Sequence, residues 1–266
     1  MKRAFVGVRE QPHYRRDAFV SGLKALGYEV DLNPPKNPDK DTVYVCWNRY
    51  LACHDIAMQV ELSGGTVLVA ENGFIGPNGI SPVHMEPRSI YAIARRYHND
   101  AEMVPKGAPE RWNALGVDLR PWRARGNHIL VCANRTFGTP GRIMPMSWAA
   151  EVKDQLQALT KREVRVRTHP GNNKPEKPLA ADLRDAHATV IWYSSAGLQS
   201  LLAGVPVFQC APNWIGADAA CRDLTQIENP PLPDRGCAFA KVAATQWTID
   251  EISSGFAFDH LLRRTA

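Results

Sequence analysis

Long apolar runs are missing from this chain. None approaches the roughly 18 residues that a membrane-spanning helix needs, so a soluble, cytoplasmic protein without a membrane partner is expected. Paired cysteines are missing too. The six cysteines (Cys46, Cys53, Cys132, Cys210, Cys221, Cys237) form no CxxC and sit mostly in apolar runs, as buried thiols of a reducing compartment do, and zinc is not expected. Neither GxGxxG nor GxxxxGK[ST] occurs, which removes a dinucleotide fingerprint and a P-loop. The one D-x-D, Asp39-Lys40-Asp41, sits in a proline-flanked polar loop and follows no apolar strand, so no metal site is expected there. The opening MKRAFVGV puts two basic residues before an apolar run. Arg9-Glu10 break that run and no small-residue cleavage site follows, so a first strand is expected rather than a signal peptide. Low-complexity tracts and short-period repeats are also absent.

What remains is the composition of an ordinary globular protein, 44% hydrophobic and 22% charged. At 266 residues the chain can bury a large core in one domain or two. A net charge of +5 leans mildly towards a polyanionic partner. Apolar runs and amphipathic stretches alternate from end to end. Strands are expected over 4–8, 28–32, 43–47 and 66–70, with helices over 17–26 and 51–62 between them. That βαβαβ order argues for a parallel sheet. Residues 89–125 read as helix and loop, punctuated by Pro105, Pro109 and Pro121. A second unit begins with a strand over 128–133 and a helix over 147–159. The expected fold is α/β: two facing Rossmann-like domains, 1–124 and 125–266, with parallel sheets and a cleft between them. The C-terminal helix has room to pack back on the first domain.

Residues 164–208 are the most informative stretch. A strand over 164–167 stops at Thr168-His169-Pro170-Gly171, and a buried-type strand over 189–193 stops at Ser194-Ser195, which open a helix over 196–203. Gly204 closes that helix before a strand over 206–208. In open α/β sheets the ligand crevice lies at the carboxyl ends of the strands. Serine hydroxyls and free N–H groups at a helix N-terminus suit a phosphate. The segment therefore reads as a phosphate site, with a nucleotide-sugar as the best-matched ligand and no further cofactor.

Four sets of residues are expected to meet at the cleft. Asn134, Arg135, Gly138 and Arg142 follow the strand over 128–133; Gly138 and Gly141 allow close approach to a phosphate and either arginine can pair with it. The same residues also suit an ordinary βα turn. His169, with Arg167 before it and Pro170 after it, can donate to a leaving phosphate, because the proline holds the preceding chain extended. Ser194, Ser195 and the N–H of Ala196 can hold that phosphate, a role compatible with simple capping. Glu71, at a strand end in the first half, is the candidate general base for an acceptor hydroxyl. Asn72-Gly73 beside it would make a turn in any case. Asp100, His98 and His84 are the other possible bases. Asn48, Arg49, Asn72, Gly73 and Phe74 are the expected acceptor contacts.

These residues resemble a known group. Glu71-Asn72-Gly73, His169-Pro170 and Ser194-Ser195 look like the acidic-residue-plus-glycine, HP and paired-hydroxyl motifs of GT-B glycosyltransferases, nearest in pattern to bacterial sialyltransferases and capsule-polysaccharide transferases. The donor-site likeness runs through Ser194-Ser195-Ala196-Gly197 to Ala203-Gly204-Val205-Pro206-Val207 and covers about 45 residues. It implies an inverting, metal-independent transfer. Glu71 would be the base, His169 would assist the departing phosphate, and the serines would hold it. Asn72 departs from the acidic motif, so only Glu71 carries over as a base. The phrase Gln246-Trp247-Thr248-Ile249-Asp250-Glu251-Ile252-Ser253-Ser254-Gly255 is similar to the tail of compact bacteriophage glycosyltransferases. Glu228-Asn229-Pro230 and Pro233-Asp234-Arg235 share the likeness.

The tail resemblance implies transfer from a UDP-sugar such as UDP-glucose to the hydroxymethyl group of a modified pyrimidine (5-hydroxymethylcytosine, for example) in phage DNA, with the enzyme in the host cytoplasm. DNA is then a partner. Arg15-Arg16, Lys36, Lys40, Arg49, Arg95-Arg96, Arg120, Arg123 and Arg125 are the basic residues available for its phosphates. Trp47, Tyr50 and Phe74 are the aromatics available to wedge against an extruded base. A solvated face and a filled core are the more ordinary account of any one of these residues. Transfer to a capsule or cell-surface glycan, and a non-catalytic nucleotide- or DNA-binding module, stand as the alternatives.

Overall fold

A computed structural model of the chain describes residues 2–82, 85, 89–97, 107–123, 125–169, 171 and 177–263. The first half alternates β1 (Arg3–Gly7), α1 (Arg16–Ala25), β2 (Glu29–Asp31), β3 (Thr42–Trp47), α2 (Ala52–Leu62), β4 (Thr66–Asn72) and β5 (Ile90–Arg95), followed by α3 (Pro109–Ala114). The second runs β6 (His128–Cys132), α4 (Trp148–Leu159), β7 (Glu163–Arg167), α5 (Leu179–Leu183), β8 (Ala186–Ile191), α6 (Ser195–Leu202), β9 (Val207–Gln209), β10 (Ala220–Cys221) and α7 (Gly236–Ala244). The chain then returns as β11 (Gln246–Thr248), α8 (Ile249–Ser253) and α9 (Phe256–Leu262).

Two sheets result, ordered β11-β5-β4-β3-β1-β2 and β10-β9-β8-β6-β7. The second is parallel throughout. The first is parallel from β2 to β4, but β5 pairs antiparallel with β4 and β11 antiparallel with β5. This corrects the helix-and-loop reading of 89–125. Residues 90–94 are all buried, covered on both faces, so their short Ala-containing run carries no alternation to mark it as a strand.

Both faces of each sheet are covered, as crossover helices require. In β3 the odd positions Val43, Val45 and Trp47 pack with Phe19, Leu23, Trp247 and Phe258, while Tyr44 and Cys46 pack with Ala57 and Val60 of α2. In β6 the alternation sends Ile129 and Val131 to α4 and Leu130 and Cys132 to α6 and α7. That last core is continuous with Phe74, Ile75, Ala92 and Trp112 from the first half, so one apolar mass joins the two. Trp112 stacks on Phe239 at 4.6 Å, pinning α3 to α7.

Cys46 and Cys132 are buried, and burial pushes both thiols up, Cys132 to about 12. Among the described residues no helix is long and apolar enough to cross a membrane.

Candidate active-site cleft

The carboxyl ends of the parallel strands in the two sheets open onto one cleft of about 1770 Å³. Its walls include Glu71, Asn72, Gly73, Phe74, Asn48 and Arg49 from the first half. Asn134, Arg135, Gly138, Arg142, Arg167, His169, Ser194, Ser195 and Ala196 face them from the second. Pro170, His84, His98 and Asp100 lie outside the described residues.

His169 follows β7, and its ring is held from one side. Nδ1 accepts from the backbone N–H of Gly171 at 2.9 Å and from Nε of Arg135 at 3.3 Å. Arg135 also donates from Nη2 to the Gly171 carbonyl at 2.8 Å, so it clasps the whole turn. With Nδ1 accepting, the neutral ring carries its proton on Nε2, the nitrogen left for a ligand. Burial, and then the Arg135 charge, hold the His169 pKa below the ordinary value. The ring is therefore a neutral donor at pH 7.

Ser194 caps α6, its Oγ accepting from the Ala196 N–H at 3.2 Å. The helix directs its positive end and first-turn donors at the cleft. Two glycines hold that helix close to its neighbours. A Cβ on Gly197 would lie 2.6 Å from Ile191 Cδ1 and 2.7 Å from Trp214 Cζ2. Gly204 has φ +73°, and a Cβ there would fall 2.0 Å from the Pro121 carbonyl oxygen. Asn134 Oδ1 accepts from the Tyr193 N–H at 3.4 Å, tying the end of β6 to that of β8. A Cβ on Gly138 would come within 3.3 Å of the Tyr193 hydroxyl.

Glu71, next to last in β4, lines the same cleft. Its Oε1 accepts from the backbone N–H of Asn72 at 2.8 Å and from the Asn72 side chain at 3.0 Å, so Asn72 orients the carboxylate. Gly73 is required by space, since a Cβ would sit 2.8 Å from Ile90 Cγ2 and 2.9 Å from its carbonyl oxygen.

Some expected contacts have other partners. Arg49 is 1% exposed, and its guanidinium grips Glu61 through both carboxylate oxygens at 2.7 and 2.6 Å. It shapes the wall rather than presenting charge to an acceptor. Arg167 is ion-paired with Asp182 and donates to the Lys177 carbonyl at 2.8 Å, anchoring α5. Phe74 and Trp47 are each 7% exposed and belong to cores, with an edge of each on the cleft wall. Arg15, Arg16 and Arg96 are ion-paired with Asp17, Glu10 and Glu61. Asp39 of the D-x-D bonds Arg3 at 2.8 Å and precedes β3, at the end of the sheet away from the cleft. Among the described residues no three His, Cys, Asp or Glu side chains are grouped to hold a metal ion.

The seam between the halves was not readable from the sequence. The Tyr97 ring has the Arg49 guanidinium at 4.5 Å and that of Arg142, from the other half, at 4.0 Å. Thr139 Oγ1 donates to the Arg49 carbonyl at 2.5 Å, and Tyr50 meets Phe137 with centroids 5.7 Å apart. The 48–51 loop making these contacts is strained, with Asn48 at φ +62° and Leu51 at φ +50°. His13 is a further wall residue without a sequence signal. Its ring is 4.0 Å from that of Tyr14, and its carbonyl accepts from the Tyr91 hydroxyl at 2.8 Å.

No family model matches the chain, and no curated protein matches it by sequence. Among solved structures, two Thermosulfurimonas dismutans KpsC chains are similar. The β-Kdo 2,7 transferase is 12% identical with a TM-score of 0.55, the match covering 98% of this chain and 100% of that one. The β-Kdo 2,4 transferase is 13% identical with a TM-score of 0.59, covering 98% of each chain. The likeness spans both halves, and the chain has the GT-B-like fold: two facing, mostly parallel α/β domains with the cleft between them.

Proposed function

We propose that the protein is a glycosyltransferase that moves a sugar from a nucleotide-activated donor to a hydroxyl of a glycan acceptor, with inversion and without a metal ion. The observation that carries this is that Glu71, His169 and the Ser194-capped helix all line one cleft. A carboxylate facing a phosphate-type site is what a single displacement needs. Glu71 takes the proton of the acceptor hydroxyl as its oxygen bonds to the anomeric carbon. The bond from that carbon to the phosphate oxygen breaks, and His169 Nε2–H and the α6 N-terminus stabilise the charge that develops there. A binding module has no use for the carboxylate.

Charge supports an anionic donor. Among the described residues seven arginines line the cleft against two carboxylates, Glu71 and Asp118. Arg49 and Arg167 are neutralised by Glu61 and Asp182, which leaves positive charge in surplus among the described residues. The diphosphate of a UDP-sugar matches that surplus. So does a nucleotide monophosphate carrying a sugar acid, such as the Kdo handled by the two similar transferases.

The hydroxymethyl group of a DNA pyrimidine is the second reading, resting on the likeness of residues 246–255. Its other supports are weakened, because Trp47 and Phe74 are largely buried in cores and several of the basic residues are ion-paired. Mass analysis after incubation with a panel of UDP- and CMP-sugars, offering oligosaccharides in one arm and hydroxymethylated DNA in the other, separates the two. Sugar mass gained on oligosaccharide supports the glycan reading, gain on DNA alone replaces it, and no gain on either rejects both.

A further inference from the structure

The Glu71 loop is held by a residue more than 170 positions away in the chain. Gln246, in β11, is 3% exposed. Its Oε1 accepts from the backbone N–H groups of Phe74 and Ile75 at 2.5 and 2.8 Å, and its Nε2 donates to the Ile75 carbonyl at 2.9 Å. One amide thus satisfies three main-chain groups in the turn that leaves the cleft directly after Glu71-Asn72-Gly73. The sheet register explains the reach. Glu71 and Gln246 are both paired with Ala92, one from each side of β5. Residues opposite one another across neighbouring strands share a face, so Glu71, Ala92 and Gln246 form one row and the amide projects on the same side as the carboxylate.

The anchor is itself braced. Arg111 donates to the Gln246 carbonyl at 2.5 Å and clamps Glu251 at 2.6 and 2.9 Å, with its guanidinium 4.7 Å from the Trp247 ring. Glu251 also closes a capping box with Thr248 at the start of α8. This accounts physically for the phrase Gln246-Trp247-Thr248 followed by Glu251. The terminal segment returns across the molecule and fastens the turn beside the candidate base.

We propose that Gln246 is a positioning residue for Glu71: by fixing the 73–75 turn it sets where the carboxylate stands against the acceptor hydroxyl. This rests on the glycosyltransferase reading. Placement errors on the scale of an ångström reduce turnover roughly 100-fold, so Gln246→Leu should lower kcat for transfer by about 10–100-fold. Donor affinity should stay within about twofold, since the donor wall belongs to the other sheet. Gln246→Glu keeps both acceptor bonds and, protonated in this buried position, can donate through its hydroxyl to Ile75, so it should fall less and serves if the leucine variant does not fold.

The deciding experiment measures transfer and donor affinity for wild type, Gln246→Leu, Gln246→Glu, Glu71→Gln and the Glu71→Gln/Gln246→Leu double variant, with amide exchange of residues 72–76. The proposal expects faster exchange there in Gln246→Leu and little further loss when that change is added to Glu71→Gln. A loss of donor affinity that matches the loss of transfer, full multiplicativity in the double variant, or unchanged transfer overturns it. If Glu71→Gln loses transfer while both Gln246 variants do not, the inference fails and the functional reading stands. If the wild type transfers no sugar, both fall.

Discussion

Arg135 donates from Nε to Nδ1 of His169 at 3.3 Å, and the contact fixes which nitrogen of the imidazole faces the cleft. The guanidinium also adds to burial in holding the ring neutral. Removing it in Arg135→Ala should raise the His169 pKa, though not to the ordinary value, because burial is the larger cause and remains. An NMR titration of the His169 ring checks this. A pKa unchanged or lowered in Arg135→Ala contradicts the geometry.

Glu71→Gln retains shape and hydrogen-bonding capacity but cannot take a proton. General-base catalysis is worth about 10²–10⁴ in rate, and kcat for transfer should drop on that scale while donor affinity stays nearly constant. Steady-state kinetics with isothermal titration of the donor reads both. Turnover within a few-fold of wild type would remove Glu71 as the base.

Activity should survive excess EDTA. The D-x-D motif is engaged with Arg3 and Thr42 at the wrong end of β3, and arginine with the α6 N-terminus supplies the positive field in the cleft. A requirement for magnesium or manganese, restored on adding the ion back, contradicts this.

Stability should decline in mild acid for a local reason. His128 and His187 are 1% and 3% exposed, and each ring sits with Nε2 at 3.0 Å from a carbonyl oxygen, of Asp182 and Ile227 respectively. Burial holds both pKa values below the ordinary 6.5. The unfolded chain therefore takes up these protons at higher pH than the folded protein does. The stabilisation is complete above about pH 6.5 and is lost as pH falls from there through the depressed values. Urea unfolding of wild type and His187→Gln across that window tests it; the glutamine can keep a donor to Ile227 but does not titrate, so its pH dependence should be shallower.

The second half was largely legible because its local signals agree with its fold. Apolar strands stop at His169 and at Ser194, a hydroxyl caps α6, and Gly204 ends it where φ must be positive. The first half was legible through β4, where strands and helices alternate at regular spacing. Beyond that, signals were tertiary. Strand β5 is short and buried throughout, and β11 is only three residues long. Arg49 reads as a surface cation until Glu61 and Tyr97 are seen around it. Gln246 stood inside a noticed phrase, yet its task depends on β11 crossing to the other sheet.

Nucleotide release from a panel of UDP- and CMP-sugars, compared between wild type, His169→Ala and Ser194→Ala, bears most directly on the central claim. The loss of one charge-assisted hydrogen bond to phosphate costs about 1.5–3 kcal/mol. Wild type should cleave at least one donor, and each variant should lose roughly 10–150-fold in kcat/KM with the fold intact by circular dichroism. A protein that binds and cleaves none of these donors, or whose His169 and Ser194 variants match wild type, contradicts the account.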